Sequence, residues 1–452
     1  MSLIASSQLI VIIGLGVTGL SAARFLKKKN IQFIMMDSRE TPPNLSVFQK
    51  EFPDVSCLLG QLDSEVLAHA DEIIISPGMS LETPELLLAA NAGIPIIGDI
   101  ELFARYVDKP VIAITGSNAK STVTTLVGKM FAACDYTVAV GGNLGVPVLE
   151  LLEQKSIDFF VLELSSFQLE TTSSLKPKVA TILNISLDHM DRYSGLPDYH
   201  QAKQRIYRHA ENIVINRQDV LTHPPLAKNA SVWTFGDDQS DRNGFGLMKK
   251  GAGHSVETYL TYQFSVLLQD IDVSLKGKHN SVNILAALAI GTAANLPMNK
   301  MLDVVKGFRG LAHRCEYIST RHHVVYINDS KATNVGATIA ALSGLGSDEK
   351  NIVLIAGGDA KGADFSPLVD VVARYVRDVV LIGCDAELLE AALQGVAPIH
   401  HAHSLEAAVD VSASLASKDN IVLLSPACAS FDMFDGFEDR GNQFIQCVRG
   451  KR

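Results

Sequence analysis

The chain has 452 residues, 47% hydrophobic and 19% charged, a composition typical of globular domains rather than disorder. A net charge of −10 and a pI near 5.7 argue against a nucleic-acid partner, which would normally meet a basic balance. No apolar stretch reaches the length of a membrane span, so no membrane insertion is expected; the closest, Ile284–Ala294, is interrupted by Gly291 and Thr292 and reads as a buried helix. At roughly 100–200 residues per domain, the length predicts two to four domains. Six scattered cysteines, none in a Cys-x-x-Cys pair, read as free thiols in a reducing, cytoplasmic setting.

The first apolar run, Leu9–Ile13, enters a glycine motif directly and reads as a strand rather than a signal peptide. Further strands are expected at Phe33–Met36, Ile73–Ser76, Val111–Thr115, Phe159–Leu164, Val179–Leu183, Ile213–Ile215, Val324–Ile327, Ile352–Ile355, Val379–Ile382 and Ile421–Leu424. Amphipathic segments lie between most of them. One has a clear start and stop, with Thr83 as N-cap, Pro84 at the first helical position and Gly93 past the end. Such alternation means largely parallel sheets covered by helices, an α/β class. A first unit closes near Gly98-Asp99, a second opens with the strand at Val111, residues 231–275 read as irregular β-rich insertion, and a third unit starts near Gly307–Gly310. The domain boundaries expected are 1–98, 99–310 and 311–452. In parallel sheets ligands bind beyond the carboxyl ends of strands. Asp37, Ser76, Lys120, Glu163, His189, Asp329, Lys361 and Ser430 all follow or end strands, which favours one composite site.

Gly14-Leu15-Gly16-Val17-Thr18-Gly19 follows a strand and opens a helix, and Asp37 ends the next strand. This pattern suits a diphosphate nucleotide, with Asp37 on a ribose hydroxyl. It leaves open a nicotinamide or flavin, another nucleotide, or tight strand–helix packing without ligand. Thr115-Gly116-Ser117-Asn118-Ala119-Lys120-Ser121-Thr122 is more specific. Backbone N–H groups can cradle phosphates, Lys120 can reach the β- and γ-phosphates, and the Ser121 hydroxyl can bind Mg²⁺. Ala119 stands where glycine is usual, so a positive φ there would be strained. The alternative is an ordinary capped loop with a surface lysine. Glu163 suits a Mg²⁺ ligand. His189, in Asp188-His189-Met190-Asp191-Arg192, could ligate a second cation or hold substrate, although a histidine in such a loop is more often structural. Lys203, in the helical stretch Tyr199–Arg208, reads by itself as a solvated lysine. His322-His323 and His400-His401-Ala402-His403 lack metal-ligand spacing and read as solvated loops. Cys428 reads as a small buried thiol rather than a nucleophile. A nicotinamide-dependent dehydrogenase and a non-catalytic nucleotide switch remain as rivals at this point.

Taken together, these motifs resemble the Mur ligases. The resemblance covers essentially the whole chain. It rests on Gly14–Gly19, Ser76-Pro77-Gly78, Gly98–Glu101, Thr115–Thr122, Gly141–Asn143, Leu162–Leu169, Asp188–Tyr193, His279-Asn280, Ala312–Arg314, Asn328–Asn334, Gly357–Lys361 and Ser425–Ser430. The resemblance is specifically to the D-glutamate-adding branch, and the Asp-Asn-Pro-Arg segment expected of the diaminopimelate-adding one does not occur. Ala119 and Ala360 depart from the family, where glycine often precedes a lysine. The resemblance implies a Rossmann-like domain that binds UDP, a central P-loop-type ATP-binding α/β domain, and a C-terminal Rossmann-like α/β domain that closes over it. The reaction implied joins D-glutamate to UDP-N-acetylmuramoyl-L-alanine with ATP, two Mg²⁺ ions and an acyl phosphate, in a monomeric enzyme whose partners are small molecules. Val17, Thr18, Asp37, Ser38, Arg39 and Gly78 would bind uridine and diphosphate, and Asn143, Ser165 and His189 the rest of that substrate. Gly116 to Thr122, Asn280, Asn283, Arg314 and Asp329 would bind ATP. Lys331, Thr333, Lys361, Ser430 and Phe437 would receive D-glutamate. Ser121, Glu163, His189 and a carbamylated Lys203 would hold the cations, and Lys120, Glu163, His189 and Lys203 would carry the catalysis.

Overall fold

The computed structural model describes residues 9–190, 192–225, 230–251, 257–275, 277–347 and 349–450; Asp191 of the motif above lies outside them. The chain resolves into two compact bodies, one of Met1–Leu183, Tyr199–Phe235 and Ala286–Val304, the other of Asn184–Asp198, Gly236–Leu285 and Val305–Arg452.

In the first body, a five-stranded parallel sheet runs Cys57–Leu59, Phe33–Asp37, Ile10–Ile13, Glu72–Ile75, Ile96–Ile97 in spatial order. Every residue of Ile10–Ile13 is buried, as a parallel strand covered on both faces requires. The order reverses between Ile10–Ile13 and Glu72–Ile75, so a crevice opens beyond their carboxyl ends, where Gly14 and Ser76 lie. There the Ser76 hydroxyl donates to the Gly14 carbonyl at 2.9 Å. The helix Val17–Lys28 then packs so close that a Cβ on Gly19 would lie 1.8 Å from the Gly14 oxygen. The same body carries a second parallel run, in the order Ser231–Phe235, Asn212–Asn216, Val179–Ile182, Val111–Thr115, Phe159–Glu163, Val138–Gly142. Its middle strand, Val111–Thr115, is wholly buried and delivers the chain into the Gly116–Lys120 loop.

The second body contains an antiparallel meander of Gly244–Lys250, Glu257–Tyr262 and Ser265–Gln269, the β-rich material expected after residue 231. It also contains a six-stranded sheet in the order Glu316–Arg321, Val324–Asn328, Ile421–Leu424, Ile352–Gly357, Val376–Ile382, Ile399–His401. Only the first pair is antiparallel; His322 and His323, both with positive φ (48° and 63°), make its tight turn. The remaining pairs are parallel, with apolar layers on both faces. The loops after Asn328, Leu424 and Gly357 therefore emerge side by side.

Two expectations need correction. His400-His401 is not a loop: Ile399–His401 is an edge strand paired with Val379–Leu381. His400 Nε2 and Asp378 Oδ1 lie 3.1 Å apart, and His401 Nε2 and Glu390 Oε2 3.0 Å apart. Polar side chains on an edge strand hide its pairing from a hydrophobicity pattern. The short strands Cys57–Leu59, Val138–Gly142, Ile96–Ile97 and Glu316–Arg321 were also not expected. Each is brief, glycine-containing or at a sheet margin, where the apolar run that signals a strand is absent. The helix Lys278–Ala293 forms as expected, with Ile284 to Ile290 at 0–1% exposure.

Candidate functional site

Around the crevice of the first sheet, Gly14, Gly16, Val17, Thr18, Asp37, Ser38, Arg39, Ser76, Gly78, Asp99, Asn143 and Gln168 border one cavity of about 680 Å³. Asp37 is 2% exposed; its Oδ2 accepts the Leu15 N–H at 2.7 Å and an Arg39 guanidinium N–H at 2.7 Å. Burial pushes the Asp37 carboxyl up, but the hydrogen bonds from Arg39 and from the Leu15 and Arg39 amides outweigh it and leave it below its usual value. Val17, 65% exposed, stands at the first turn of its helix, where backbone N–H groups favour an anion. All the residues expected to hold uridine and diphosphate thus border one space. Ser165 does not border it directly but caps the helix that carries Gln168, and His189 lies in the second body.

The phosphate-type loop follows Val111–Thr115. Ala119 is left-handed (φ 66°), the strained conformation anticipated for a residue without glycine's freedom, and it is the N-cap of helix Lys120–Ala133. The Lys120 ammonium folds back to donate to the Gly116 and Ser117 carbonyls, both at 2.9 Å. Ser117 Oγ is 3.0 Å from the Tyr199 hydroxyl, and Ser121 and Thr122 are buried. Beside this loop, Glu163 ends its strand at 3% exposure. Its Oε1 accepts from Asn143 Nδ2 at 2.7 Å, while its Oε2 is buried and makes no hydrogen bond. A buried carboxylate oxygen without a partner is costly unless something fills it. A Mg²⁺ ion suits it, given the nearby phosphate loop. Among the described residues no group of three or more His, Cys, Asp and Glu side chains converges, so other ligands to such an ion would come from hydroxyls, phosphates or water.

Lys203 is 1% exposed. Its Nζ donates to Thr115 Oγ1 at 3.2 Å and lies 4.7 Å from the Tyr199 ring centroid. The solvated-lysine reading of its helix is therefore excluded. The pattern missed this because Tyr199, Ala202 and Lys203 together make the buried face, and an ammonium does not register as apolar.

In the second body, Leu187, Asp188, His189, Met190, Thr333, Asn334, Ile339, Lys361, Asp364 and Pro367 border a cavity of about 370 Å³. His189 has φ 58°, its ring nitrogen is 3.7 Å from Asp188 Oδ2, and Asn334 Nδ2 donates to that same oxygen at 3.2 Å. The three strand-end loops bring Asp329, Lys331, Lys361 and Ser430 to one end of the sheet. Lys331 Nζ sits 3.5 Å from the Phe437 ring centroid and Lys361 Nζ 5.7 Å from that of Phe431, so two ammonium groups lean on aromatic faces. Burial pushes the Asp329 carboxyl up to about 6, against hydrogen bonds from Ser425 Oγ (2.8 Å) and the Cys315 N–H (3.1 Å) and the charge of Arg314. Asn283 Nδ2 donates to Asn280 Oδ1 at 3.3 Å at the start of helix Lys278–Ala293. Cys428 is a buried thiol, pushed up to about 12 by burial, as expected of a packing residue.

Arg440 was not foreseen. It is fully buried and donates to the Ser330, Ala429 and Cys428 carbonyls and to Ser330 Oγ, tying two of the strand-end loops together. An arginine in an amphipathic helix ordinarily reads as its solvated face, so no local signal could have marked it.

The family models that match are the Mur ligase MurD-like N-terminal domain over residues 8–98, the Mur ligase middle domain over 114–291, and the Mur ligase glutamate ligase domain over 313–428. A UDP-N-acetylmuramoylalanine–D-glutamate ligase from Pseudomonas syringae pv. tomato is 52% identical over 449 residues, 99% of either chain. One of the same name from Coxiella burnetii is 50% identical over 445 residues, 98% of this chain and 99% of that one. Among solved structures, a UDP-N-acetylmuramate-alanine ligase from Thermotoga maritima has a TM-score of 0.60 at 17% identity, covering 98% of this chain and 99% of its own. A pseudomurein peptide ligase type C from Methanothermus fervidus has a TM-score of 0.61 at 17% identity, with the same coverage. These two carry the fold alone. With three domain matches in succession and half-identical relatives along its full length, the chain belongs to the Mur ligase family.

Proposed function

We infer that this chain is an ATP-dependent carbon–nitrogen ligase that adds D-glutamate to UDP-N-acetylmuramoyl-L-alanine, a step of peptidoglycan precursor synthesis. The observation that carries the reading is the 52% identity, over 99% of either chain, to a relative of that name. The glycine crevice, phosphate loop and strand-end lysines supply the chemistry that such a reaction needs. Residues 1–98 take the UDP-linked substrate, 99–310 ATP, and 311–452 D-glutamate. The enzyme works in the cytoplasm as a monomer on small molecules; among the described residues no helix is long and apolar enough to cross a membrane.

A carboxylate is a poor acyl donor until its oxygen is made a leaving group. Transfer of the γ-phosphoryl group gives an acyl phosphate, which the amine of D-glutamate attacks, expelling phosphate. Nucleotide and carboxylate are both anions, so the protein's contribution is positioning and positive charge. Gly116 to Thr122 cradle the phosphates. Lys120 leaves its loop carbonyls for the γ-phosphate, exchanging neutral acceptors for a charged one. Asn280 and Asn283 hold the adenine, and Arg314 and Asp329 complete the nucleotide contacts. Asn143, Ser165 and His189 steady the sugar peptide. Lys331, Thr333, Lys361, Ser430 and Phe437 receive D-glutamate. Ser121 and Glu163 would hold one Mg²⁺, His189 and a carbamylated Lys203 a second. When bound, these ions supply charge screening between the two anionic reactants.

The test is a phosphate-release assay on the full chain with each amino acid in turn. Release is expected only when Mg²⁺, ATP, the UDP-linked substrate and D-glutamate are all present. Equal release with L-glutamate or meso-diaminopimelate would overturn the reading, and reduced-nicotinamide oxidation would replace it with a dehydrogenase.

A further inference from the structure

Asp99 begins the helix Asp99–Tyr106 and is 3% exposed, yet it borders the 680 Å³ cavity of the first body. The mechanism above gives it no task. Its carboxylate accepts from Gln168 Nε2, at 3.2 Å to Oδ2 and 3.5 Å to Oδ1. Gln168, also in the cavity wall, turns its Oε1 the other way, where it accepts the Ser165 N–H at 3.1 Å and the Ser165 hydroxyl at 3.2 Å. The Gln168 N–H returns a bond to Ser165 Oγ at 3.2 Å, closing a capping box.

A primary amide can flip, exchanging its donor and acceptor edges at almost no steric cost. The capping box holds the amide oxygen on the Ser165 N–H, and the contact with Asp99 holds the nitrogen edge of the same amide. An ionised carboxylate can only accept, so Asp99 fixes the nitrogen edge and opposes the flipped form, in which the amide oxygen would face the carboxylate and the nitrogen would face the Ser165 N–H. We propose that Asp99 is a positioning residue for the UDP-linked substrate, locking the Gln168 amide so that this part of the cavity wall keeps one hydrogen-bonding orientation toward that substrate's sugar and phosphate oxygens. The proposal rests on the cavity taking the UDP-linked substrate.

The experiment measures phosphate release by the full chain, with KM for each substrate and a thermal midpoint for every variant. Wild type is expected to saturate with UDP-N-acetylmuramoyl-L-alanine; if it does not, the functional reading fails and the inference falls with it. Where wild type saturates, Asp99→Ala and the isosteric Gln168→Glu are each expected to raise that KM about tenfold, with the KM values for ATP and D-glutamate within about twofold. The pair Asp99→Asn with Gln168→Glu exchanges donor and acceptor across the same contact. It is expected to return the KM to within about threefold of wild type, a recovery that loss of helix stability would not produce. If Asp99→Ala melts below the assay temperature, Gln168→Glu and the exchanged pair carry the test. An unchanged KM in the folded single variants, a rise shared by all three substrates, or no recovery in the exchanged pair overturns the proposal.

Discussion

At the scale of single residues, the site depends on side chains whose environment and identity disagree. Lys120 is the simplest. Its ammonium donates to two loop carbonyls, and Lys120→Ala should cost about 1–2 kcal/mol of stability. Loss of its charge at the transferring phosphoryl group should lower kcat by about a hundredfold or more. Turnover near wild type in a folded variant would make the loop merely structural. Lys203 is the sharper case. Its ammonium is buried, donating to the Thr115 hydroxyl and lying over the Tyr199 ring. Carbamylation, in which the neutral amine adds to carbon dioxide, would replace it with anionic oxygens of the kind Mg²⁺ takes. Lys203→Ala should therefore lose most activity and regain part of it with small carboxylic acids, and intact mass under mild conditions should show the added carbamate in wild type. A fully active alanine variant would remove the residue from the mechanism. The loop that carries Lys120 was legible in the sequence because its motif fixes its neighbours. The burial of Lys203 and of Arg440 was not, because burial of a cation is a tertiary event without local periodicity.

At the scale of elements, the strand-then-loop grammar carried most of the reading. The long buried strands, such as Val111–Thr115 and Ile421–Leu424, lie where their β-branched runs place them, and the loops that leave them hold the polar residues expected. Edge strands escaped because they are short, as Cys57–Leu59 and Ile96–Ile97 are, glycine-containing, as Val138–Gly142 is, or polar, as Glu316–Arg321 and Ile399–His401 are. The phosphate loop shows how a local conflict marks function. Ala119 has φ 66°, and a left-handed L-residue costs roughly 1–2 kcal/mol, whereas glycine there costs about 0.4–1 kcal/mol through the unfolded chain. Ala119→Gly should thus stabilise the protein slightly, by about 0.5–1 kcal/mol, measurable as a higher denaturant midpoint with an unchanged slope. A lower midpoint would mean that the alanine methyl makes a contact worth more than the strain. Gly19, in the glycine motif of the first sheet, tolerates no such exchange in the other direction, because its Cβ would meet the Gly14 carbonyl at 1.8 Å.

At the scale of the whole molecule, buried titratable groups tie stability to pH, and they do not all pull one way. Burial raises the Asp99 and Asp329 carboxyls to about 6, so the fold binds their protons more tightly than the unfolded chain does. The fold shifts each toward its protonated form while both stay largely ionised at pH 7.5, and their share of stability is present at low pH and lost as pH rises through 6. Burial lowers His279 to about 4, the opposite sense: the unfolded chain takes up that proton first, and stability falls as pH drops below the ordinary histidine value. Asp37 and Glu101 are held low by their hydrogen bonds and lose their contribution only in more acidic solution. Between pH 7.5 and 5 the histidine therefore offsets one of the two raised aspartates, and the wild-type melting curve alone reveals little. The difference between proteins isolates the term. Asp99→Asn removes a carboxyl that is penalised at pH 7.5 and relaxed at pH 5, so its stability relative to wild type should be greater at pH 7.5 than at pH 5 by about 1 kcal/mol. An equal difference at both pH values would mean that Asp99 is solvated in the ligand-free protein, and that the cavity it borders admits water to its carboxylate.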